Sequence, residues 1–357
     1  MSEKRQCDRR RLAAFFMSFV MILTLLCAMP VRKADAASTP VKKHGQLSVD
    51  GTDLVDSKGN KFQLRGISTH GINWDVGKPY VNKKAFKSLR DDWGVNAIRL
   101  AMYTEEYNGY CSSGSQKELK KLVNKGVSYA TDLGMYAVID WHILSDGNPN
   151  TNYSDAKKFF TYMAKKYKDH NNVIYEICNE PNGCKWSDIK SYAKKIIKVI
   201  RKYDKDAVII VGTPTWSQLG SDGTSNEVAD SPITGYDNIM YSLHFYASEN
   251  AHSKYLPAKL DYAIEKGLPV IVSEFGLSEA NGDGSISKSQ ADKWFKQLDK
   301  YNISYFCWSL SNKREAASLL KPGTKKTSGW KNSDLTAAGK YIKKKYVARK
   351  KKLGKKA

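Results

Sequence analysis

The 357-residue chain carries a formal net charge of +22, from 58 Lys and Arg against 36 Asp and Glu. The excess sits at the ends: residues 1–36 hold a net +4 and residues 340–357 a net +10, leaving +8 for the long body between them. A nucleic-acid partner, which needs positive charge spread over a binding face, is therefore not expected, and a chain that is 41% hydrophobic can bury a core large enough for one α/β barrel.

In chain order, Arg9–Arg11 precede an apolar run from Leu12 to Met29, and Ala34-Asp35-Ala36 comes next with a small-x-small pattern. This predicts a secretory signal over residues 1–36 and an extracellular product, the alternative being an uncleaved membrane anchor. A polar linker is expected over 37–44, then a small hairpin over Gln46–Asp56 that caps the bottom of the barrel. Eight strand-like stretches come next: Phe62–Ser68, Asn96–Met102, Tyr136–His142, Val173–Glu180, Val208–Thr213, Ile239–Tyr246, Pro269–Gly276 and Ile303–Leu310. Several are nearly unbroken apolar runs, as strands buried on both faces should be. Helical patterns separate most of them, at Lys83–Trp93, Gln116–Leu133, Asp155–Tyr167, Asp188–Tyr203, Tyr255–Lys266 and Lys288–Tyr301, with a last one at Leu335–Tyr346. In Asp188–Tyr203 the apolar residues Ile189, Tyr192, Ala193, Ile196, Ile197 and Ile200 keep a 3.6-residue period. The fifth connection, around Asn226–Ala229, is short. Eight such units predict a single (β/α)₈ barrel over residues 45–347, with a Lys-rich disordered tail at 348–357. The tail reads as solvated chain or as an attachment to an anionic cell surface.

Chemistry in this fold belongs at the C-terminal ends of the strands. Those ends are polar here: Thr69-His70-Gly71, Arg99 leading to Tyr103, Asp140-Trp141-His142, Asn179-Glu180, His244-Phe245-Tyr246, Glu274 and Trp308. Glu180 ends the fourth strand and Glu274 the seventh, so two acids face each other across the barrel mouth. Taken singly each could be a buried salt-bridge partner, Glu274 with Arg99 for instance. Taken together they match the paired carboxylates of sugar hydrolysis, in which a separation of about 5 Å means retention and roughly 6.5–9.5 Å inversion.

These motifs carry a family resemblance. LRGISTHG, NAIRLAMY, IDWHILSDG, IYEICNEPNG, VGTPTWSQ, LHFYA, IVSEFG and CWSLSNK, between about Gly45 and Tyr346, resemble glycoside hydrolase family five, of the bacterial endo-1,4-β-glucanase type. The resemblance implies that Glu180 is the general acid/base and Glu274 the nucleophile of a retaining, secreted endoglucanase. Burial and a neighbouring charge suit Glu180 to hold its proton, and Arg99 with the Tyr246 hydroxyl would favour an ionised Glu274. Asn179 would bind the sugar 2-hydroxyl, His142 and His244 would orient the acids, and His70 would meet sugar in the minus-side subsite. Trp74, Trp216 and Trp308 are expected as platforms for the apolar faces of sugar rings, Tyr103 as part of the same cleft, and Lys313 and Glu315 as partners of sugar hydroxyls. Trp93, Trp294 and Trp330 read as packing. The resemblance implies a β-glucan substrate, a monomer, and no metal or other cofactor. The same acids would serve mannanase, xyloglucanase or mixed-linkage glucanase activity, and a non-catalytic carbohydrate-binding barrel is the reading from another class.

Several features lie outside this reading. Cys178, Cys307 and Phe275 depart from the family's usual residues and bear on cleft shape. Cys111 and Cys184 pair in a disulfide or remain free with the other thiols. Glu279–Gln290 imitates the start of a calcium loop, but Gln290 stands where a bidentate Glu is needed, so an Asn-Gly/Asp-Gly turn is the simpler reading.

Overall fold

The structure, a computed structural model, describes residues 39–354. The expected signal at 1–36 lies outside the described residues. Among those described, no helix is long and apolar enough to cross a membrane.

The expected hairpin forms from β1 (Ser48–Asp50) and β2 (Asp53–Val55), paired antiparallel. Eight parallel strands then close into a ring: β3 (Arg65–Thr69), β4 (Ala97–Tyr103), β5 (Tyr136–His142), β6 (Val173–Glu176), β7 (Ile209–Val211), β8 (Ile239–Tyr246), β9 (Val270–Gly276) and β10 (Tyr305–Leu310). Closure is made by β10 on β3, with Phe306 opposite Gly66 and Cys307 opposite Ile67. The fold is the expected (β/α)₈ barrel. The two short strands, β6 and β7, stop before the polar ends assigned to them from sequence.

Strand alternation divides the buried residues into two sets. Ile98, Leu100 and Met102 of β4 and Ala137, Ile139 and Trp141 of β5 face the surrounding helices. Ala97 of β4 and Tyr136 and Val138 of β5 fill the barrel's lower interior with Ile174, Ile210, Met240, Ile271 and Phe306, sealed from below by Leu47 and Leu54 of the hairpin. Hydrocarbon fills the bottom half, so the polar residues one step further along each strand are left at the top.

The outer helices Gln116–Asp132, Tyr153–Tyr167, Trp186–Arg201, Asn250–Glu265 and Lys288–Lys300 cover the barrel close to where they were expected. Helix Lys83–Ser88 runs into a π-helical turn, Leu89–Trp93, that ends at Gly94 with φ 83°. The fifth connection is indeed weak, one turn at Glu227–Asp230. Trp93, Trp294 and Trp330 are buried packing residues.

Two boundaries need correction. More than half of the expected linker is a docked turn: Pro40–His44 is helical, Val41 N–H donates to the Gly134 carbonyl at 3.0 Å, and the His44 ring bonds Asp56 at 2.9 Å. The final helix runs from Ala337 to Gly354, so residues 348–354 are not a disordered tail. Two of their charges find partners on the barrel: Arg349 pairs with Asp299 at 2.9 Å, and Lys350 Nζ donates to the Asp91 carbonyl at 3.0 Å.

Candidate active site

The floor of the barrel mouth is built around Arg99. Its side chain, fully buried on β4, sends Nε to Glu176 at 2.7 Å, Nη1 to Glu274 at 2.9 Å, and Nη2 to Asp140 at 3.0 Å and to the Asn179 amide oxygen at 2.5 Å. One planar guanidinium thereby fixes side chains from β5, β6, β9 and the turn after β6, a task for which its rigid fork is suited. Burial works against the Arg99 charge, but Asp140, Glu176 and Glu274 together outweigh it and hold the guanidinium protonated well above its ordinary range.

Glu180 and Glu274 rise from this floor. Their nearest oxygens and the nearest His244 nitrogen all lie within 4.8 Å of one another. Glu274 accepts from the Tyr246 hydroxyl at 2.7 Å on one oxygen and from Arg99 on the other, which suits a carboxylate. Among the described residues no Lys or Arg touches Glu180. Its Oε1 meets His244 Nδ1 at 2.8 Å. Burial pushes the Glu180 carboxyl up to about 8; Arg99 opposes this, and the charges of Asp140 and Glu176 reinforce it. Burial pushes His244 down to about 4, so it is neutral at physiological pH. His142 is likewise held neutral by burial, its Nδ1 bonded to Asp140 at 2.5 Å. Glu180 is thus suited to hold a proton, beside a Glu274 whose two oxygens both accept hydrogen bonds.

Backbone details place these groups. Pairing of β8 with β9 shifts by one residue between Ser242 and His244. Ile271 already faces the barrel interior, and the shift lets Ser273 and Glu274 both turn inward although they are consecutive. The Tyr246 ring packs against Gly276, where a β-carbon would sit 2.5 Å from it.

Above the acids the cleft, about 520 Å³, is walled by aromatic rings. Trp74 stacks on Tyr103 with centroids 4.6 Å apart, and Trp308 stacks on His142 at 5.2 Å. His70 sits between them, 5.3 Å from Trp74 and 5.0 Å from Trp308. Burial lowers His70 to about 3, and its Nε2 lies 3.6 Å from Glu315, which Lys313 holds at 2.5 Å. Trp216 stands apart on the far rim and is 42% exposed. It is presented by a left-handed turn in which Thr215, Trp216 and Ser217 have φ of 55°, 55° and 62°. Such residues cost about 1–2 kcal/mol each, and the turn is held by Trp216 N–H to the Pro181 carbonyl at 3.0 Å and Ser217 Oγ to the Asn179 carbonyl at 2.7 Å.

The expected residues therefore come together. His70, Trp74, Tyr103, His142, Glu180, Trp216, His244, Tyr246, Glu274, Trp308, Lys313 and Glu315 line one cleft, with Arg99 and Asn179 directly beneath it. Sequence reasoning missed Glu176, although it lies in phase with inward-facing Ile174, and missed Ser242 and Ser273. It also missed Gln218, His252 and the loop Ala280–Gly282 as cleft residues. Cys178, Cys307 and Phe275 do not line it, so these departures leave its shape alone. All four described cysteines are free thiols. In the calcium-like loop, Asn281 accepts from Asp283 N–H at 2.8 Å and Asp283 from Ala316 N–H at 3.1 Å, which spends these oxygens on backbone turns. Among the described residues Glu180, His244 and Glu274 are also the one group compact enough to consider for a metal, yet each is already engaged in the hydrogen bonds above.

A parallel barrel whose mouth sets two glutamates over a floor of arginine, carboxylates and one asparagine amide, between tryptophan walls, defines a glycoside hydrolase. Residues 55–314 match the cellulase family, glycosyl hydrolase family 5, and the chain belongs to that family. It is 46% identical to an endoglucanase of Clostridium saccharobutylicum, an alignment covering 93% of this chain and 71% of that one. It is 45% identical to endoglucanase A of Butyrivibrio fibrisolvens, over 85% of this chain and 68% of the relative. Among solved structures, the catalytic domain of Thermobifida fusca endoglucanase Cel5A, in complex with cellotetraose, superposes with a TM-score of 0.82 at 38% identity, covering 87% of this chain and 99% of that one.

Proposed function

We propose that this chain is a secreted, retaining endo-1,4-β-glucanase that cleaves internal bonds of cellulose and related β-glucans. The observation that carries the mechanism is the closeness of Glu180 and Glu274, within 4.8 Å, which leaves no room for a water between carboxylate and sugar and favours direct attack. Glu274 attacks the anomeric carbon while Glu180 gives its proton to the departing glycosidic oxygen. A glycosyl ester on Glu274 results. Glu180, now ionised, takes a proton from water, and the water displaces Glu274 with a second inversion, so the product keeps the starting configuration.

The remaining residues support binding. Trp308 and the Trp74–Tyr103 stack offer faces to sugar rings on one side of the acids, and Trp216 on the other. His70, Lys313 and Glu315 provide polar partners beside the first of these. Asn179 makes its weakest contact to His142 Nε2, at 3.3 Å, and that amide hydrogen is the one a sugar 2-hydroxyl would compete for. Names of the relatives and the cellotetraose bound to the Thermobifida fusca enzyme support a β-1,4-glucan substrate. Export rests on the Arg9–Arg11, apolar and Ala-x-Ala pattern. The basic C-terminus supports contact with an anionic surface.

The test is hydrolysis of a panel of soluble glucans and mannans by the wild type and by Glu180→Gln and Glu274→Gln. Cleavage of carboxymethylcellulose that both variants lose is expected. Activity confined to mannan refutes the substrate, and full activity in either variant refutes the mechanism.

A further inference from the structure

Beneath His244 lie two serine hydroxyls. Ser273 Oγ is 2.8 Å and Ser242 Oγ 3.2 Å from His244 Nε2, and the two hydroxyls touch each other. Both serines are completely buried, and His244 nearly so. On its other side His244 Nδ1 meets Glu180 Oε1 at 2.8 Å. The charged groups facing the ring are Glu176, whose Oε1 is 3.9 Å from Nε2, and Glu180, with Arg99 and Glu274 further off.

A count of hydrogens chooses the tautomer. A neutral histidine has one N–H and one lone pair. With the hydrogen on Nε2, the ring and one serine both donate into the hydroxyl pair, and the other hydroxyl hydrogen has no acceptor among the described residues. A buried donor left unpaired is costly. With the hydrogen on Nδ1, Ser242 donates to Ser273, Ser273 donates to Nε2, and every polar atom is satisfied. Nδ1–H then points at Glu180 Oε1, so the carboxyl proton has to sit on Oε2, the oxygen free to face the cleft.

We infer that Ser273, supported by Ser242, is a positioning residue that locks His244 in the Nδ1–H tautomer and so keeps the Glu180 proton on the cleft side. The one-residue shift in β9 is what makes this compatible with Glu274, since it turns Ser273 and Glu274 inward together. Without the hydroxyls, the nearest polar group below Nε2 is Glu176, which favours Nε2–H. Nδ1 then accepts the Glu180 proton and turns it away from the substrate. The inference rests on Glu180 being the acid.

The experiment compares Ser242→Ala/Ser273→Ala, Ser273→Thr and Glu180→Gln on two substrates. Cellotetraose has a leaving group that must be protonated; 2,4-dinitrophenyl β-cellobioside has one that departs with little help. The double alanine variant should lose roughly tenfold in kcat/KM on cellotetraose, the scale of one neutral hydrogen bond, and several-fold less on the aryl substrate. Ser273→Thr, which keeps the hydroxyl, should restore cellotetraose hydrolysis. In ¹⁵N-labelled protein the His244 Nε2 resonance should move from the unprotonated to the protonated position in the double variant only. Equal losses on both substrates, or no loss, overturn the lock. If Glu180→Gln shows the substrate selectivity and the serine variant does not, only the lock falls; if Glu180→Gln shows none, the acid assignment falls with it.

Discussion

Replacement of Glu176 by Gln removes a buried negative charge that no substrate reaches while keeping the side chain's size. Its Oε1 lies 3.9 Å from His244 Nε2, and His244 Nδ1 lies 2.8 Å from Glu180. With only the imidazole between them, the two carboxylates are at most roughly 9 Å apart, and unit charges at that distance repel by about 2 kcal/mol at an effective dielectric constant of about 20. That is a little more than one pH unit. Glu180 works as an acid only while protonated, so kcat/KM falls as pH rises through its value of about 8. Removing the repulsion stabilises the ionised form, and the loss of activity should begin about one pH unit lower. The assay is kcat/KM for cellotetraose against pH, with thermal melts to confirm that Glu176→Gln stays folded. An alkaline limb that does not move would mean either that Glu176 carries no charge in the folded enzyme or that the limb belongs to another group; the electrostatic argument fails in both cases.

Three further outcomes depend on particular contacts. Gly276→Ala puts a β-carbon 2.5 Å from the Tyr246 ring, so the ring must shift off Glu274; a loss of about 1–3 kcal/mol of stability with a fall in kcat should appear in melts and kinetics, and unchanged kcat would show that Tyr246 does not position the nucleophile. Trp216→Ala should raise KM for cellopentaose more than for cellotriose, because only the longer chain spans the acids and the far rim; equal effects would remove Trp216 from substrate binding. Lys259 is buried with Nζ donating to the Asp222 carbonyl at 2.6 Å, and burial lowers it from 10.5 to about 8. Between those values the unfolded chain binds more protons than the folded one, so the wild type should gain stability relative to Lys259→Met as pH rises from about 8 to 10.5. A pH-independent difference in melting temperature would contradict this.

What the sequence made legible was whatever repeats or alternates. Eight apolar runs with helices between them define the ring, and the polar residues at their ends define its mouth. The two acids were readable because turn-forming residues follow each closely, Pro181-Asn182-Gly183 after Glu180 and Gly276 after Glu274. Glu176 was hidden by its surroundings: within IYEICNEP it is one polar residue in a strand, and only its phase with Ile174 shows that it points inward. Ser273 and Glu274 could not both be read as inward-facing, since strict alternation forbids it and the register shift depends on pairing with β8. Trp216 was recognised but not its left-handed turn, which is stabilised by the Pro181 and Asn179 carbonyls some 35 residues earlier in the chain. The basic C-terminus looked like free chain because the partners of Arg349 and Lys350, Asp299 and Asp91, are distant in sequence.

The retaining mechanism stands or falls on the anomeric configuration of the first sugar released. Proton NMR of cellotetraose or cellopentaose hydrolysis, recorded before mutarotation, should show the β-anomer accumulating first at the new reducing end. An α-anomer appearing first would mean a single displacement by water, and Glu274 would then not be the nucleophile.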